Sequence, residues 1–127
     1  MNSLTDEEIE AAKSSTDYNL DAQLHEHNDC IRIAYEWLDA QKKIKTIPKF
    51  GVTSKHLIES WAGRYISQSD VSVAAELHPE VFGKYPRFNI SKMLVEPSTS
   101  RLEDIAESFK HSNYRETHRP KRYKSQE

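Results

Sequence analysis

The stretch Cys30-Ile31-Arg32-Ile33-Ala34-Tyr35-Glu36-Trp37-Leu38 decides what kind of fold this chain makes. Ile31, Ala34, Tyr35 and Leu38 fall at i, i+3, i+4 and i+7, which lines one side of an α-helix with apolar groups. Ile33 and Trp37 widen that stripe, so the helix has a face that must be covered by other helices. Lys42 and Lys43 suit its negative C-terminal pole. The helix is expected over about 21–43, or 29–43 if Asn28 is the cap.

Outward from there, the same signals recur at shorter range. Thr5 with Glu8 is a capping box for a helix over 5–13. Residues 44–50 alternate around Pro48 and read as an extended edge piece. Thr53 or Ser54 opens a helix carrying Leu57, Ile58, Trp61 and Ala62, and Gly63 ends it as a left-handed residue would. Ser67 with Asp70 starts another, with Val71, Ala74, Ala75 and Leu77, stopped at His78 by Pro79. Residues 80–97 read as irregular to extended, with a two-strand ribbon over 84–97 and Phe88, Ile90 and Val95 inside. Ser100 with Glu103 caps a last helix to about residue 110. Trp37 and Trp61 are expected to pack between their helices.

The expected fold is therefore mainly α with minor β: a small helical domain of four to five helices plus a short ribbon. It divides into an acidic arm with a short helix (1–19), one globular helical domain (20–110) and a basic flexible tail (111–127). Across 28–97 the element order is also that of a winged helix-turn-helix, whose second helix enters the major groove. Two features oppose that likeness. The Gly63–Ser67 connection is long. The would-be recognition helix offers Gln68, Asp70, Ser72 and Glu76, two acids and no base.

Charge is unevenly placed. Residues 1–29 carry eight acids against Lys13, residues 110–126 carry six bases against Glu116, and the whole chain is −2. Opposite ends of opposite sign point to electrostatic partners, or to each other in a homodimer. The acidic start has no apolar h-region, so no secretory signal is expected. No stretch approaches the roughly 20 apolar residues a bilayer needs. The lone Cys30 excludes an internal disulfide and suits a reducing, cytoplasmic setting. Gly51, Gly63 and Gly83 are the only glycines, which excludes a Walker loop and a dinucleotide fingerprint.

Three constellations invite chemistry. His25-Glu26-His27 with Asp29 and Cys30 holds metal-ligand types, but a second paired cluster is missing, so no metal is expected. Cys30 lies on the apolar helix, where a lone thiol behaves as a small hydrophobe. His78, Glu80 and Lys84 share a loop without any motif of mechanical meaning, so neither a catalytic role nor a cofactor is expected. The positive signal is aromatic residues beside bases. Eight such adjacencies occur, where a shuffled chain of this composition gives about 3. Bases neutralise phosphates and aromatic faces stack on nucleobases.

The expected function is a small non-enzymatic regulator that contacts nucleic acid. Arg64, Lys84 and Arg87, with Arg119, Lys121, Arg122 and Lys124 of the tail, would meet phosphates. Tyr85 and Tyr123 would stack. The alternative is a protein-interaction module (inhibitor, adaptor or antitoxin-like) acting through the acidic arm or a helical surface.

Overall fold

Thr5 opens the first helix as its spacing from Glu8 requires. Its hydroxyl accepts from the Glu8 amide at 3.1 Å, and the Glu8 carboxylate accepts from the Thr5 amide at 3.0 Å. The structure, a computed structural model, describes residues 4–18, 23–49, 54–118 and 120–127. Helix α1 runs Asp6–Ser15 and buries Ile9 and Ala12. Helix α2 is Asn28–Ala40, close to the shorter of the two expected spans but ending before Lys42 and Lys43, which the expected span to 43 placed at its end. Its cap is His27, whose Nδ1 accepts from the Asp29 amide at 2.9 Å. Helix α3, Ser54–Ala62, gives way to Gly63 at φ 60°, the left-handed turn that a glycine takes without strain. Helix α4, Gln68–Leu77, starts at Ser67 and ends at His78 in extended geometry, as the residue before a proline must.

The most extensive helix contact is between α2 and α4, with α1 laid against α4. Trp37 and Trp61 are fully enclosed, as their place on the apolar faces predicts. Helix α4 is the central element: every residue from Ser69 to Ala75 is buried, Gln68 and Leu77 are half-buried and Glu76 is exposed. The expected solvent face through Asp70 and Ser72 is thus overturned. The run Val71-Ser72-Val73-Ala74-Ala75 has no charge and little bulk, so neighbours close over it from all sides. Asp70 is tolerated because its carboxylate is fully engaged, by His25 Nδ1 at 2.7 Å and the Glu26 amide at 3.1 Å. The segment 23–27 is laced to the start of α4 by Ser67 and Ser69 as well. A helix enclosed in this way has no face to lay in a DNA groove.

The minor β component is two pairs rather than one ribbon. Strands β1 (Gly83–Lys84) and β2 (Arg87–Phe88) are antiparallel around Tyr85-Pro86. Strand β3 (Val95–Glu96) pairs in parallel with β4 (Ser125–Gln126). Gly83 sits at φ 118°, and a Cβ there would collide with the Arg87 carbonyl oxygen, so the hairpin requires glycine.

The expected helix over 100–110 is absent. A 3₁₀ turn, Thr99–Leu102, is capped by Ser98 and followed by turns. The Phe109 amide bonds Ala62 O at 2.7 Å and the His111 amide bonds Gly63 O at 2.8 Å. Those bonds draw the chain across the end of α3, with Phe109 at φ 63°, instead of letting it wind on. Within the segment expected to be a flexible tail, Tyr123 and strand β4 contact the body while most described residues are exposed. Tyr123 is buried, and its hydroxyl accepts from Trp37 Nε1 at 3.1 Å. The Glu127 carboxylate receives the Arg101 guanidinium. Among the described residues no helix is long and apolar enough to cross a membrane.

Candidate functional site

The nine residues expected to meet nucleic acid separate into three groups. Arg64 is turned inward: its Nε donates to Glu107 at 3.2 Å and its Nη1 to Tyr65 O at 2.8 Å. Tyr85 and Tyr123 are also buried, and burial pushes both phenols above their ordinary range. Neither ring is open to stack on a base. Arg119 lies outside the described residues. Lys84, Arg87, Lys121, Arg122 and Lys124 are exposed.

Lys84 and Arg87 stand opposite each other across the β1–β2 hairpin. The hairpin is fastened to segment 42–49 by one buried side chain, Asn89. Its Oδ1 accepts from the Phe82 amide at 2.7 Å. Its Nδ2 donates to Ile44 O at 3.1 Å and to Glu80 O at 3.0 Å. The backbone repeats the link: Ile44 N bonds Asn89 O at 2.9 Å, and Ser91 N bonds Lys42 O at 2.9 Å. Arg87 reaches across to the carbonyls of Pro48 and Lys49.

Two separate stretches of chain are thereby joined side by side. Residues 42–49 bring Lys42, Lys43, Lys45 and Lys49; residues 81–95 bring Lys84, Arg87 and Lys92. Neither stretch contains an acid. Apolar groups stand among these cations. Phe82 is 49 % exposed and Ile44 and Ile47 each 38 %. The Ile47 side chain lies against Gly83, next to Phe82. In the same hairpin, the buried Tyr85 and Phe88 pack edge to face at 6.4 Å between ring centres. The tail borders this face: Lys124 N bonds Leu94 O at 2.8 Å, two residues from Lys92. Besides Arg87, other cations on the face have internal duties. Lys84 approaches the exposed Asp17 at 3.4 Å, a weak contact in water. Lys43 donates to Asp39 O, and burial lowers its pKa.

The aromatic-beside-base pattern led to the hairpin through Lys84 and Arg87 and also marks Lys49 beside Phe50, which was not among the expected contacts, but it missed Lys42, Lys45, Lys92, Ile44, Ile47 and Phe82. A different signal finds them: no acid occurs between Asp39 and Glu59, nor between Glu80 and Glu96.

Other chemistry-bearing groups serve the fold. His25 holds Asp70, His27 caps α2, and Cys30 donates to Tyr65 O at 3.6 Å. Burial pushes the Cys30 thiol up to about 11, so almost no thiolate exists near neutral pH. His78 is enclosed: Nε2 meets Asp39 at 2.8 Å and Nδ1 accepts from the Glu80 amide at 3.1 Å. Among the described residues no three metal-ligating side chains come together.

A cleft of about 560 Å³ lies elsewhere, between α2, Leu4 and the 3₁₀ turn. Its charges answer one another. Arg101 is bound by Glu36 at 2.8 Å, Asp39 at 3.0 Å and Glu127, and Arg32 by Asp6 at 2.6 Å and Asp29 at 2.7 Å. Six exposed cations, Lys42, Lys45, Lys49, Lys84, Arg87 and Lys92, lie on the hairpin side instead, while Lys110, Lys121, Arg122 and Lys124 are exposed in the C-terminal segment. Compared with protein-family models, with curated proteins and with solved structures, the chain matches none.

Proposed function

We propose that this chain is a non-enzymatic binding protein that contacts nucleic acid through the face built by segment 42–49 and the β1–β2 hairpin. One observation carries this reading: two acid-free stretches, far apart in sequence, are locked together by Asn89 and bring six exposed cations, Lys42, Lys45, Lys49, Lys84, Arg87 and Lys92, near exposed apolar groups. Acids beside such cations weaken the attraction for phosphates; neither stretch carries one, and the exposed Asp17 near Lys84 is the acid that approaches from elsewhere. Lys121, Arg122 and Lys124 extend the positive field along the border near Leu94.

The protein-interaction alternative has less support. Asp6 holds Arg32, Glu8 closes the cap on Thr5 and Glu10 pairs with Lys13, so these acids of the arm work within the fold. A catalytic role has less still, since the buried Cys30 is protonated and His78 is bonded at both ring nitrogens.

Titration of labelled duplex DNA, single-stranded DNA and RNA at two salt concentrations tests the proposal. Binding at micromolar concentration or tighter is expected, weakening as salt rises because counterions are released. Changing Lys45, Lys49 and Lys84 to Gln together should reduce the salt slope by about 2–3, the share of three phosphate contacts. Absence of binding at low salt, or a slope untouched by the triple change, defeats the proposal.

A further inference from the structure

Phe82 is the large aromatic ring that the hairpin turns to solvent. Its backbone is not loose. The Phe82 amide donates to Asn89 Oδ1 at 2.7 Å, and the Asn89 amide donates to Phe82 O at 3.1 Å. Asn89 itself is 2 % exposed and tied to both neighbouring strands of chain. The ring is therefore an apolar surface on a fixed mount, with Ile47 alongside across Gly83. Lys84 follows it by two residues, and Arg87 spans from the opposite strand to Lys49.

Resting on the nucleic-acid reading above, we propose that this face takes an unpaired strand rather than a duplex, with Phe82 as the platform for one base. A duplex shows a face like this only its phosphates. Its bases are stacked and covered, and reading them takes an element that enters a groove. The helix that would do so, α4, is buried from Ser69 to Ala75. Docking a duplex would leave Phe82, Ile44 and Ile47 with no apolar partner. An unpaired base has an open π-face of the same size as the Phe82 ring, and the surrounding lysines take its phosphates. Charge alone would admit an acidic polypeptide too, but such a chain gains nothing from the ring.

The test compares three probes of equal charge on the full chain at moderate salt: an oligothymidylate, a hairpin duplex and polyglutamate. The oligothymidylate should bind about tenfold more tightly than the duplex, the scale of one stacked base. Phe82→Leu keeps an apolar side chain but removes the π-face. It should cut single-strand affinity about tenfold and leave duplex affinity and melting temperature unchanged, and Phe82→Trp should restore it. Equal affinity for strand and duplex with no effect of Phe82→Leu overturns the inference while the basic-face reading stands. Displacement of the strand by polyglutamate at equal charge overturns it as well. Failure of every nucleic acid to bind at low salt removes both.

Discussion

The α2–α4 pair and the segment from Glu80 onward are held by different forces. Between the helices, Ile31, Ile33, Ala34, Leu38, Val71, Val73 and Ala74 are fully buried. That contact is spread over many small dispersion and burial terms. Beyond Glu80, Val81, Phe88, Leu94, Leu102 and Ile105 join the same core, but single polar side chains add much of the fastening. Asn89 ties the hairpin to segment 42–49. Gln41 grips Val95 from both sides, donating to its carbonyl at 2.8 Å and accepting from its amide at 2.9 Å. Trp37 holds Tyr123, and Arg101 gathers Glu36, Asp39 and Glu127. A packed helix face degrades gradually when trimmed, whereas a hub loses all its bonds with one atom. The candidate site is built on the second kind of region.

Substitutions that separate the two regimes sharpen this contrast. Ile31→Ala should have the largest effect, about 2–5 kcal/mol of global stability, because it leaves a cavity against α4. Denaturant unfolding followed by helix and tryptophan signals should show one coincident transition. A loss well below that range would mean the α2–α4 contact is less dominant than its burial implies.

Asn89→Asp should come next, at about 2–4 kcal/mol, since a carboxylate cannot donate to Ile44 O and Glu80 O. Its mark is locality. Amide exchange should rise at Ile44, Phe82 and Asn89 before it rises in α2 and α4. Nucleic-acid affinity should fall with it, because the two basic stretches separate. Uniform exchange across both regions would break the contrast drawn here.

Arg101→Met is the smallest, at about 1 kcal/mol near neutral pH, as its partners are partly solvated. The Arg101 hydrogen bond keeps Glu127 below the usual carboxylate range. For Asp39, burial alone would raise the pKa, but hydrogen bonds from His78 and Arg101 outweigh it and lower it. Groups with lowered folded pKa stabilise the fold above the ordinary carboxylate value, and that contribution is lost as pH falls through their folded pKa. The wild type should therefore lose stability below about pH 4. Arg101→Met should lose less there, with the difference read from denaturant midpoints across pH.

The same contrast explains how much was legible in the sequence. All four helices α1–α4 were readable, with their caps at Thr5 and Ser67 and the stops at Gly63 and Pro79, because period and capping are local properties. The burial of α4 on every side was not. Asp70 and Ser72 look like a solvent face until His25 and the segment 23–27 are brought over them. The 3₁₀ turn at Thr99–Leu102 was misread because the bonds that divert the chain come from Ala62 and Gly63, far off in sequence. For the site, exposed Lys84 and Arg87 were legible from adjacency, whereas Tyr85, Arg64 and Tyr123 were not told apart from exposed residues. Adjacency says nothing about which of two neighbours turns inward. Asn89 gave no signal at all, since one asparagine between Phe88 and Ile90 has no spacing to betray its three partners, Ile44, Glu80 and Phe82.

Cys30 gives the molecule a gauge of its own. Its sulfur is shut between α2 and the Tyr65 carbonyl, and its proton is firmly held. A thiol reagent in solution can capture it only in moments when the start of α2 lifts away. With no second cysteine to compete, the rate of that capture counts openings of the helical core directly, without any label being engineered in.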